Sequence, residues 1–260
     1  MSLSGLSIIN CELTSHCNKT SCWMCSRRTA LPDTIYGDMD FDLLMSIKSQ
    51  LPEGIVIQFH GNGEPLLYPL FAEAMSWFPK QIKCVTTNGK LLVARASEII
   101  SYVDTLSISV FDGDSEAQEQ LDIVKEFLAI KKDRKPFTNI KIIGNVDGTS
   151  YKDLCIPLIY RQLHQENSSW IYSTKASVIP EIGICWDFLS HPCIRRNGDF
   201  SICVRYDLEG LGVLGNLYNS SLEDLWDGDK RREWLELHKQ GKRGLIPLCS
   251  RCDYWGVPTT

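Results

Sequence analysis

The amino-acid sequence predicts an α/β fold in which a parallel sheet is followed by a small cysteine-rich domain. Between residues 6 and 175, short runs of high β propensity alternate with longer segments of helical periodicity, which is typical of repeated βα units. After about residue 176 the sequence becomes rich in Pro, Gly, Cys and Trp and carries hairpin signals. We therefore expect two domains, over residues 1–178 and 179–260, with the boundary within residues 176–184.

The individual elements are predicted from local patterns. Six short apolar runs bounded by turn residues predict strands at 6–13, 55–60, 81–86, 105–110, 138–144 and 169–174. Apolar residues at spacings of three and four predict helices at 40–51, 69–79, 91–102, 116–131 and 151–165, the fourth opened by a capping box of Ser115 and Gln118. In the second domain, Asn197-Gly198 predicts a two-residue hairpin turn. Residues 221–239 predict one helix, whose packed side would carry Leu222, Trp226, Trp234 and Leu237.

Composition limits the classes of function. The chain has 260 residues, of which 43% are hydrophobic, so its core needs neither a metal nor a disulfide for stability. Its 27 basic and 32 acidic residues give a net charge of −5, the wrong sign for general nucleic-acid binding. No apolar run approaches the roughly 18 residues that span a membrane, and the N-terminus lacks a secretory signal. We expect a cytoplasmic protein with neither nucleic-acid nor membrane partners.

The eleven cysteines are the unusual feature of the composition. Their odd number prevents complete pairing, and thiols stay reduced in the cytosol, so clustered cysteines there indicate a metal site or catalysis. Seven of them form two groups, one near the N-terminus and one in the last third of the chain. The remaining four are interpreted as buried apolar thiols: Cys11, Cys84, Cys155 and Cys193.

The first group, Cys17, Cys22 and Cys25, directly follows the first predicted strand. Three thiolates on one loop can hold three corners of an iron–sulfur cube and leave its fourth iron open. The same spacing occurs in plant-type two-iron ferredoxins, which need one more cysteine. A zinc site is the third alternative, although zinc sites usually combine two CxxC knuckles.

Three further loops carry ligand-binding residues where predicted strands end. They are His60-Gly61-Asn62-Gly63-Glu64-Pro65 after strand 2, Thr87-Asn88-Gly89 after strand 3, and Ser109 in strand 4. Glycines allow a ligand to approach the main chain, and a carboxylate can receive an ammonium group. Because the carboxyl ends of parallel strands form one face of a barrel, we expect these loops and the cysteine loop to surround one pocket.

These motifs together resemble those of the radical S-adenosylmethionine (SAM) enzymes. The resemblance rests on ELTSHCN, CWMC, GNGEP, TNG and SISV and covers residues 6 to about 175. It implies a partial (β/α)6 TIM-like barrel and a 4Fe-4S cluster whose fourth iron binds SAM. In this family, electron transfer into SAM releases a 5′-deoxyadenosyl radical that abstracts hydrogen from the substrate.

The resemblance also assigns residues. It implies that Cys17, Cys22 and Cys25 are the cluster ligands, and that Gly63 and Glu64 hold the methionyl ammonium. Further contacts to SAM are expected from Met24, Asn62, Asn88 and Ser109. This chain departs from the usual motif in one respect, because its first cysteine gap has four residues where the family has three. The extra residue is expected to bulge the loop.

The second group is built around the CxxC knuckle of Cys249 and Cys252. The predicted hairpin register places Cys203 opposite Pro192 and turns Cys193 to the other face, which favours Cys185 over Cys193 as the fourth ligand. The order Cys185, Gly198, Cys203, GNL, SLEDLW and CxxC also resembles the SPASM/Twitch extension, in its shorter Twitch form, which carries an auxiliary 4Fe-4S cluster. A structural zinc knuckle from the same four thiolates is the alternative.

The resemblance implies an oxidoreductase. Family members that dehydrogenate a secondary alcohol of an aminocyclitol have a similar length and cysteine layout, and a saturated auxiliary cluster suits electron transfer. By that analogy a cationic residue near strand 6, here Lys175, would contact the substrate and help to remove the hydroxyl proton. His16, His60 and His164 are possible acids or bases by residue type. The expected partners are a small-molecule or peptide substrate and a reductant such as flavodoxin or ferredoxin.

Three other functions stay open from the sequence. A peptide-modifying radical enzyme uses the same cluster set, although such enzymes commonly have a leader-binding domain for which this sequence has no room before strand 1. A radical epimerase would use a thiol in the pocket as hydrogen donor, for which Cys84 and Cys155 are candidates. The third is a non-catalytic electron-transfer or metal-binding protein.

Overall fold

The computed structural model describes residues 3–23, 25, 36–161, 183–204, 207 and 209–252. Six parallel strands form most of one sheet: β1 (Ile8–Cys11), β2 (Val56–Phe59), β3 (Ile82–Thr87), β4 (Thr105–Phe111), β5 (Phe137–Ile143) and β6 (Leu158–Arg161). Three short strands complete it: β7 (Cys193–Ile194), β8 (Asp199–Ser201) and β9 (Val213–Asn216). The strand order is β6-β5-β4-β3-β2-β1-β7-β8-β9. The α/β fold class with a parallel sheet is confirmed.

Helices alternate with the parallel strands, as the sequence predicts. The first five are α1 (Phe41–Gln50), α2 (Phe71–Ser76), α3 (Ala96–Tyr102), α4 (Ala117–Lys131) and α5 (Thr149–Lys152), with a 3-10 turn at Pro65–Leu67. The last part of the chain contains α6 (Trp186–Ser190), α7 (Leu222–Trp226), α8 (Asp229–Lys239), a 3-10 turn at Arg243–Leu245, and α9 (Pro247–Ser250). No helix among the described residues is long and apolar enough to cross a membrane.

The two faces of the parallel sheet differ in polarity. Side chains on the helix-covered face are fully buried and apolar, and include Ile57, Phe59, Leu106, Ile108, Val110, Ile140 and Ile142. Partners across parallel strands share a face, so the register places mostly polar residues on the other, concave face: Asn10, Gln58, Cys84, Thr86, Ser107, Ser109, Asn139 and Lys141. A closed TIM barrel fills this side with Val, Ile and Leu. The polar concave face is therefore suited to a ligand.

The sixth parallel strand corrects the sequence prediction. The predicted helix 151–165 is wrong, because the structure has only the short α5 there, followed by β6. Pro157 explains the difference, since proline lacks an amide hydrogen and its ring prevents a helix from continuing through it. Its carbonyl oxygen instead accepts a hydrogen bond from Ile140 N of β5 at 2.9 Å. The predicted strand 169–174 and nearly all of the predicted domain boundary lie outside the described residues.

The hairpin β7–β8 also differs from its prediction. Cys193 lies opposite Ser201 and Ile194 opposite Phe200, one residue away from the predicted register. The loop has three residues, because Arg195 N bonds to Asp199 O at 2.9 Å and Gly198 alone has a positive φ, of 85°. A glycine in the left-handed region at the last loop position is typical of three-residue hairpin loops.

Two helix boundaries differ for local reasons. The predicted helix 221–239 is divided into α7 and α8 at Gly228, although Leu222, Trp226 and Trp234 are buried as expected. The capping box lies at Ser221 and Asp224 on α7. The predicted capping box of Ser115 and Gln118 is wrong: Glu116 is the N-cap of α4 and its side chain makes no capping bond.

Candidate functional site

The first cysteine group lies where β1 leads into the concave face. Cys25 N donates a hydrogen bond to Cys22 O at 3.1 Å, so the last two cysteines share a tight turn. Burial is the main cause that raises the pKa of Cys22 to about 12, and the neighbouring Cys25 and Cys17 thiols contribute to this rise. Met24 lies outside the described residues.

The loop after β2 packs against the segment that leads to these cysteines. A side chain at Gly63 would overlap the carbonyl oxygens of Thr14 and His16, so only glycine allows this approach. Glu64 N donates to His16 O at 2.7 Å, which joins the two loops through the main chain. Asn62 N donates to the buried Glu12 carboxylate at 2.7 Å. Sequence reasoning did not select Glu12, although it stands in the ELTSHC motif.

Glu64 connects the loop after β2 with the loop after β3. Its side chain is 2% exposed and accepts hydrogen bonds from Thr87 Oγ1 at 2.8 Å, Leu66 N at 3.1 Å and Asn88 N at 2.7 Å. Burial raises the pKa of Glu64 to about 7, against the opposing effect of these three donors. A bound ammonium group would favour the ionised carboxylate.

Asn88 and Ser109 are joined to the same rim. Asn88 Nδ2 donates to Asn18 Oδ1 at 2.9 Å and lies 3.7 Å from Cys17 Sγ. Gln120 Nε2 donates to the carbonyl oxygens of Asn88 at 2.6 Å and Ser109 at 2.9 Å. The structure thus brings together the predicted Cys17, Asn62, Gly63, Glu64, Asn88 and Ser109. Gln120 was missed because a glutamine on a helix carries no distinctive sequence signal.

A second set of polar groups lies deeper on the concave face. Lys141 Nζ donates to Thr86 Oγ1 at 3.4 Å, and burial together with Arg161 lowers the pKa of Lys141 to about 8. Gln58 Oε1 lies 3.1 Å from the Nε2 atoms of both His60 and His191. Burial lowers the pKa of His60 well below its usual value, and nearby Lys141 lowers it further, so this imidazole is neutral. Within the described ranges, Asn10 Oδ1 and Asn139 Oδ1 are buried acceptors that receive no hydrogen bond.

These groups change the set of candidate acids and bases. Lys141 lies within a predicted strand and has no sequence signal of its own. Its place on the concave face makes it a candidate acid or base. The predicted Lys175 and His164 lie outside the described residues. Cys84 is half-buried on the concave face, close enough to Lys141 for the ammonium to oppose the rise in the pKa of the thiol. Cys155 is exposed, so its interpretation as a buried apolar thiol is wrong.

The second cysteine group surrounds one apolar cluster. All four predicted ligands, Cys185, Cys203, Cys249 and Cys252, pack against Phe188, Ile202, Trp234, Ile246 and Leu248. Cys193 lies elsewhere, buried beside β1, where Asn10 Nδ2 donates to its Sγ at 3.3 Å. The observed hairpin register is shifted by one residue, so the register argument that favoured Cys185 over Cys193 is wrong. The packing of Cys185 against the same apolar cluster as the other three thiols independently supports the choice of Cys185.

Two unpredicted side chains border the second cysteine group. His238 is 1% exposed, packs against the ring of Phe188, and its Nε2 lies 3.6 Å from Cys249 Sγ. Arg243 donates hydrogen bonds to the carbonyl oxygens of Cys249 and Cys252, the latter at 3.0 Å. A cation and a histidine therefore stand next to these thiols.

Both groups offer thiols of the kind that ligate iron–sulfur clusters. Among the described residues, no three His, Cys, Asp or Glu side chains lie close enough together to hold a single metal ion. Three thiols beside the Glu64 loop suit a cube with one open corner, and four thiols on an apolar cluster suit a saturated one.

Comparison with known proteins supports this interpretation. Residues 185–253 match the model of the SPASM family, described as an iron-sulfur cluster-binding domain. Over 262 residues the chain is 24% identical to the S-adenosyl-L-methionine-dependent 2-deoxy-scyllo-inosamine dehydrogenase of Niallia circulans, covering 97% of this chain and 95% of that protein. A shorter match, 36% identical over 86 residues, covers 31% of this chain and 23% of the tungsten-containing aldehyde ferredoxin oxidoreductase cofactor-modifying protein of Pyrococcus furiosus.

Solved structures extend the comparison to the whole fold. The crystal structure of BtrN in complex with AdoMet and 2-DOIA matches with a TM-score of 0.65 at 20% identity, over 95% of this chain and 93% of that one. The chain shares the fold of that structure. A second solved structure, anSMEcpe with bound AdoMet and the Cp18Cys peptide, matches with a TM-score of 0.60 at 14% identity, over 89% of this chain and 83% of that one. The predicted resemblance is thereby confirmed, and the individual site residues stay predictions.

Proposed function

We propose that this chain is a radical SAM oxidoreductase that dehydrogenates an alcohol group of a small polar molecule, with an aminocyclitol-like compound as the first candidate. The observation that carries the proposal is the joining of the first cysteine loop, the Glu64 loop and the Asn88 loop at the carboxyl ends of neighbouring strands. The dehydrogenase that the chain resembles along nearly its whole length supports the same reaction class.

The chain offers separate residues for each cofactor. Cys17, Cys22 and Cys25 would hold the first 4Fe-4S cluster, and Glu64 with Asn62, Gly63, Asn88 and Ser109 would contact SAM. The four thiols of the second group would hold the auxiliary cluster. When bound, the first cluster supplies the electron that cleaves SAM to a 5′-deoxyadenosyl radical, and the auxiliary cluster supplies an acceptor for one electron. A protein reductant such as flavodoxin or ferredoxin would deliver the initial electron.

The substrate would lie on the polar concave face, where uncharged groups can bind hydroxyls. Oxidation of an alcohol removes a hydrogen atom from carbon, a proton from the hydroxyl and one further electron. Lys141 is suited to take the proton, because a pKa of about 8 leaves about a tenth of the amine neutral at pH 7, far more than an ordinary lysine. Neutral His60 and the buried acceptors of Asn10 and Asn139 are suited to hydrogen-bond the substrate. Lys175 stays a prediction for the same proton-accepting role.

Anaerobic reconstitution tests the proposal. The chain would be loaded with iron and sulfide, reduced with dithionite, and incubated with SAM and 2-deoxy-scyllo-inosamine. We expect the release of 5′-deoxyadenosine. If the added alcohol is a substrate, a ketone should form in an amount equal to that of 5′-deoxyadenosine. Cys17→Ala should abolish 5′-deoxyadenosine, and Cys155→Ala, which changes an exposed thiol, should not. An iron-loaded chain that releases no 5′-deoxyadenosine refutes the proposal and leaves an electron-transfer or metal-binding role.

Peptide modification is the second candidate, and the similarity to the peptide-bound anSMEcpe structure favours it. The same assay distinguishes the two functions when a cysteine-containing peptide replaces the cyclitol. Dehydrogenation of the peptide with no turnover of small alcohols would assign the chain to this class. Hydrogen exchange from solvent into an unoxidised product would instead indicate an epimerase, with Cys84 as the candidate donor.

A further inference from the structure

The extra residue of the first cysteine gap lies in a segment that contains a buried charge. In this segment, residues 18–21, the Lys19 side chain is completely buried. Its Nζ lies 2.7 Å from Asp114 Oδ2 and 3.6 Å from Glu116 Oε2, in the loop that follows β4. The Asp114 side chain is also completely buried. The segment is therefore held by an internal ion pair between residues distant in sequence.

The same two loops are joined on both sides of Cys22. Ser21 Oγ donates to Asp114 Oδ1 at 2.7 Å, and Trp23 Nε1 donates to Asp112 O at 2.7 Å. Glu116 also lies 3.1 Å from Nζ of Lys90, which follows Asn88 and Gly89. The loop after β4 thus links the cysteine loop with the SAM-contacting loop after β3.

A buried ion pair is a poor source of stability, because removing both charges from water offsets their attraction. Its presence beside the cysteine loop therefore calls for another role. Lys19 of the ion pair lies within the segment that connects Cys17 with Cys22, and through Glu116 and Lys90 the pair is also joined to the loop after β3. A fixed cation at this position would also favour addition of an electron to an anionic cluster.

We propose that Lys19, fixed by Asp114, is the positioning residue of the lengthened cluster loop, where it holds Cys22 in place and raises the reduction potential of the first cluster. This inference deepens the proposed function and rests on it for the identity of the cluster. The longer gap is accommodated because Lys19 and Ser21 both bond to Asp114 in the loop after β4, while Thr20 between them is exposed.

Charge and position can be separated with four variants. Lys19→Met removes the charge and leaves Asp114 buried without a cation, whereas Lys19→Arg keeps the charge. Asp114→Asn leaves Lys19 unbalanced, and the double variant Lys19→Met/Asp114→Asn removes both charges. Lys80→Met is the matched control, because it removes a lysine from an exposed ion pair with Glu53.

Three measurements are made on each variant: iron content, the midpoint potential of the SAM-responsive EPR signal, and the rate of iodoacetamide labelling of Cys22 in the metal-free chain. Lys19→Met should lower iron loading and label Cys22 several-fold faster than wild type. The double variant should regain loading and slow labelling, yet its potential should stay below that of wild type. Asp114→Asn should shift the potential upward, and Lys19→Arg and Lys80→Met should stay near wild type.

Equal potentials in wild type and the double variant refute the effect of the charge. Unchanged labelling and loading in Lys19→Met refute the positioning role. If Lys19→Met does not fold, the double variant still decides the effect of the charge. Asp114→Asn then decides the positioning role, because it breaks the ion pair without leaving an unpaired buried carboxylate, and unchanged loading and labelling in that variant refute the role. An iron-loaded wild-type chain that does not cleave SAM refutes the proposed function instead, and the labelling rates of the metal-free chain remain an independent test of the loop.

Discussion

Alanine substitution of Cys185 should lower the iron content of the chain, and alanine substitution of Cys193 should leave it unchanged. Cys185 packs against the apolar cluster that the other three thiols of the second group also contact. Cys193 lies instead beside β1. Reconstituted wild type should contain about eight irons per chain. Cys185→Ala should retain about four, the content of the first cluster alone, while Cys193→Ala should retain about eight.

The cost of Cys193→Ala can be worked out from its surroundings. The substitution removes one buried sulfur, which costs about 1 kcal/mol by analogy with the loss of a buried methyl group. It leaves no donor unpaired, because Asn10 Nδ2 also donates to His60 O at 2.9 Å. In a chain of this size that cost lowers Tm by about 2–4 °C. Iron and sulfide analysis, with a thermal melt of each variant, measures both effects. Loss of iron from Cys193→Ala, or full iron in Cys185→Ala, would refute our assignment of the second group.

Three further substitutions test the first site. Gly63→Ala should weaken SAM binding about tenfold or more, since the new Cβ must displace main-chain carbonyls at a cost of about 1–3 kcal/mol, as measured by calorimetry on cluster-loaded protein. In wild type, the affinity for SAM should rise as the pH increases through about 7, because the Glu64 carboxyl must ionise to pair with the ammonium group of SAM. Glu64→Gln should remove this pH dependence and weaken SAM binding about 10- to 100-fold above pH 7. Lys141→Gln should lower ketone formation about 10²- to 10⁴-fold and abolish the rise in rate as the pH passes through about 8, which follows from the neutral amine acting as base.

Each of these variants has a matched control elsewhere in the chain. Gly244→Ala places its Cβ in open space, and Lys125→Gln changes an exposed lysine of α4. Glu53→Gln changes an exposed carboxylate. All three should behave as wild type. Unchanged SAM binding in Gly63→Ala, a persistent pH dependence in Glu64→Gln, or undiminished ketone formation in Lys141→Gln would each contradict the role assigned to that residue.

Most of the parallel sheet could be predicted from sequence, because each of the first five strands is a compact apolar run next to a clear turn. The sixth could not, since the short run at β6 directly follows a segment of helical periodicity, and only Pro157 separates the two. The hairpin shows a different difficulty. Asn197-Gly198 fills the last two positions of a three-residue loop, and the same dipeptide is also the strongest signal for a two-residue turn.

The motif residues of the candidate site could be predicted because they are close together in sequence and follow strand ends. The supporting residues could not. Lys19 and Asp114 are distant in sequence, and a lysine beside the cysteines looks like an ordinary solvated charge until its partner is seen. Lys141 requires the strand register to identify the face on which it lies. The supporting residues of the site are therefore identified by contacts between residues distant in sequence, which local sequence patterns do not predict.

The pairing of β1 with both β2 and β7 has a consequence for electron transfer. One strand carries the loop with the first cysteines at its end and also shares main-chain hydrogen bonds with the hairpin that leads to Cys203. Under the proposed function, electrons would therefore pass between a loop and a hairpin that are attached to adjacent strands of one sheet. The same pairing covers a strand edge that would otherwise be open to association with another chain.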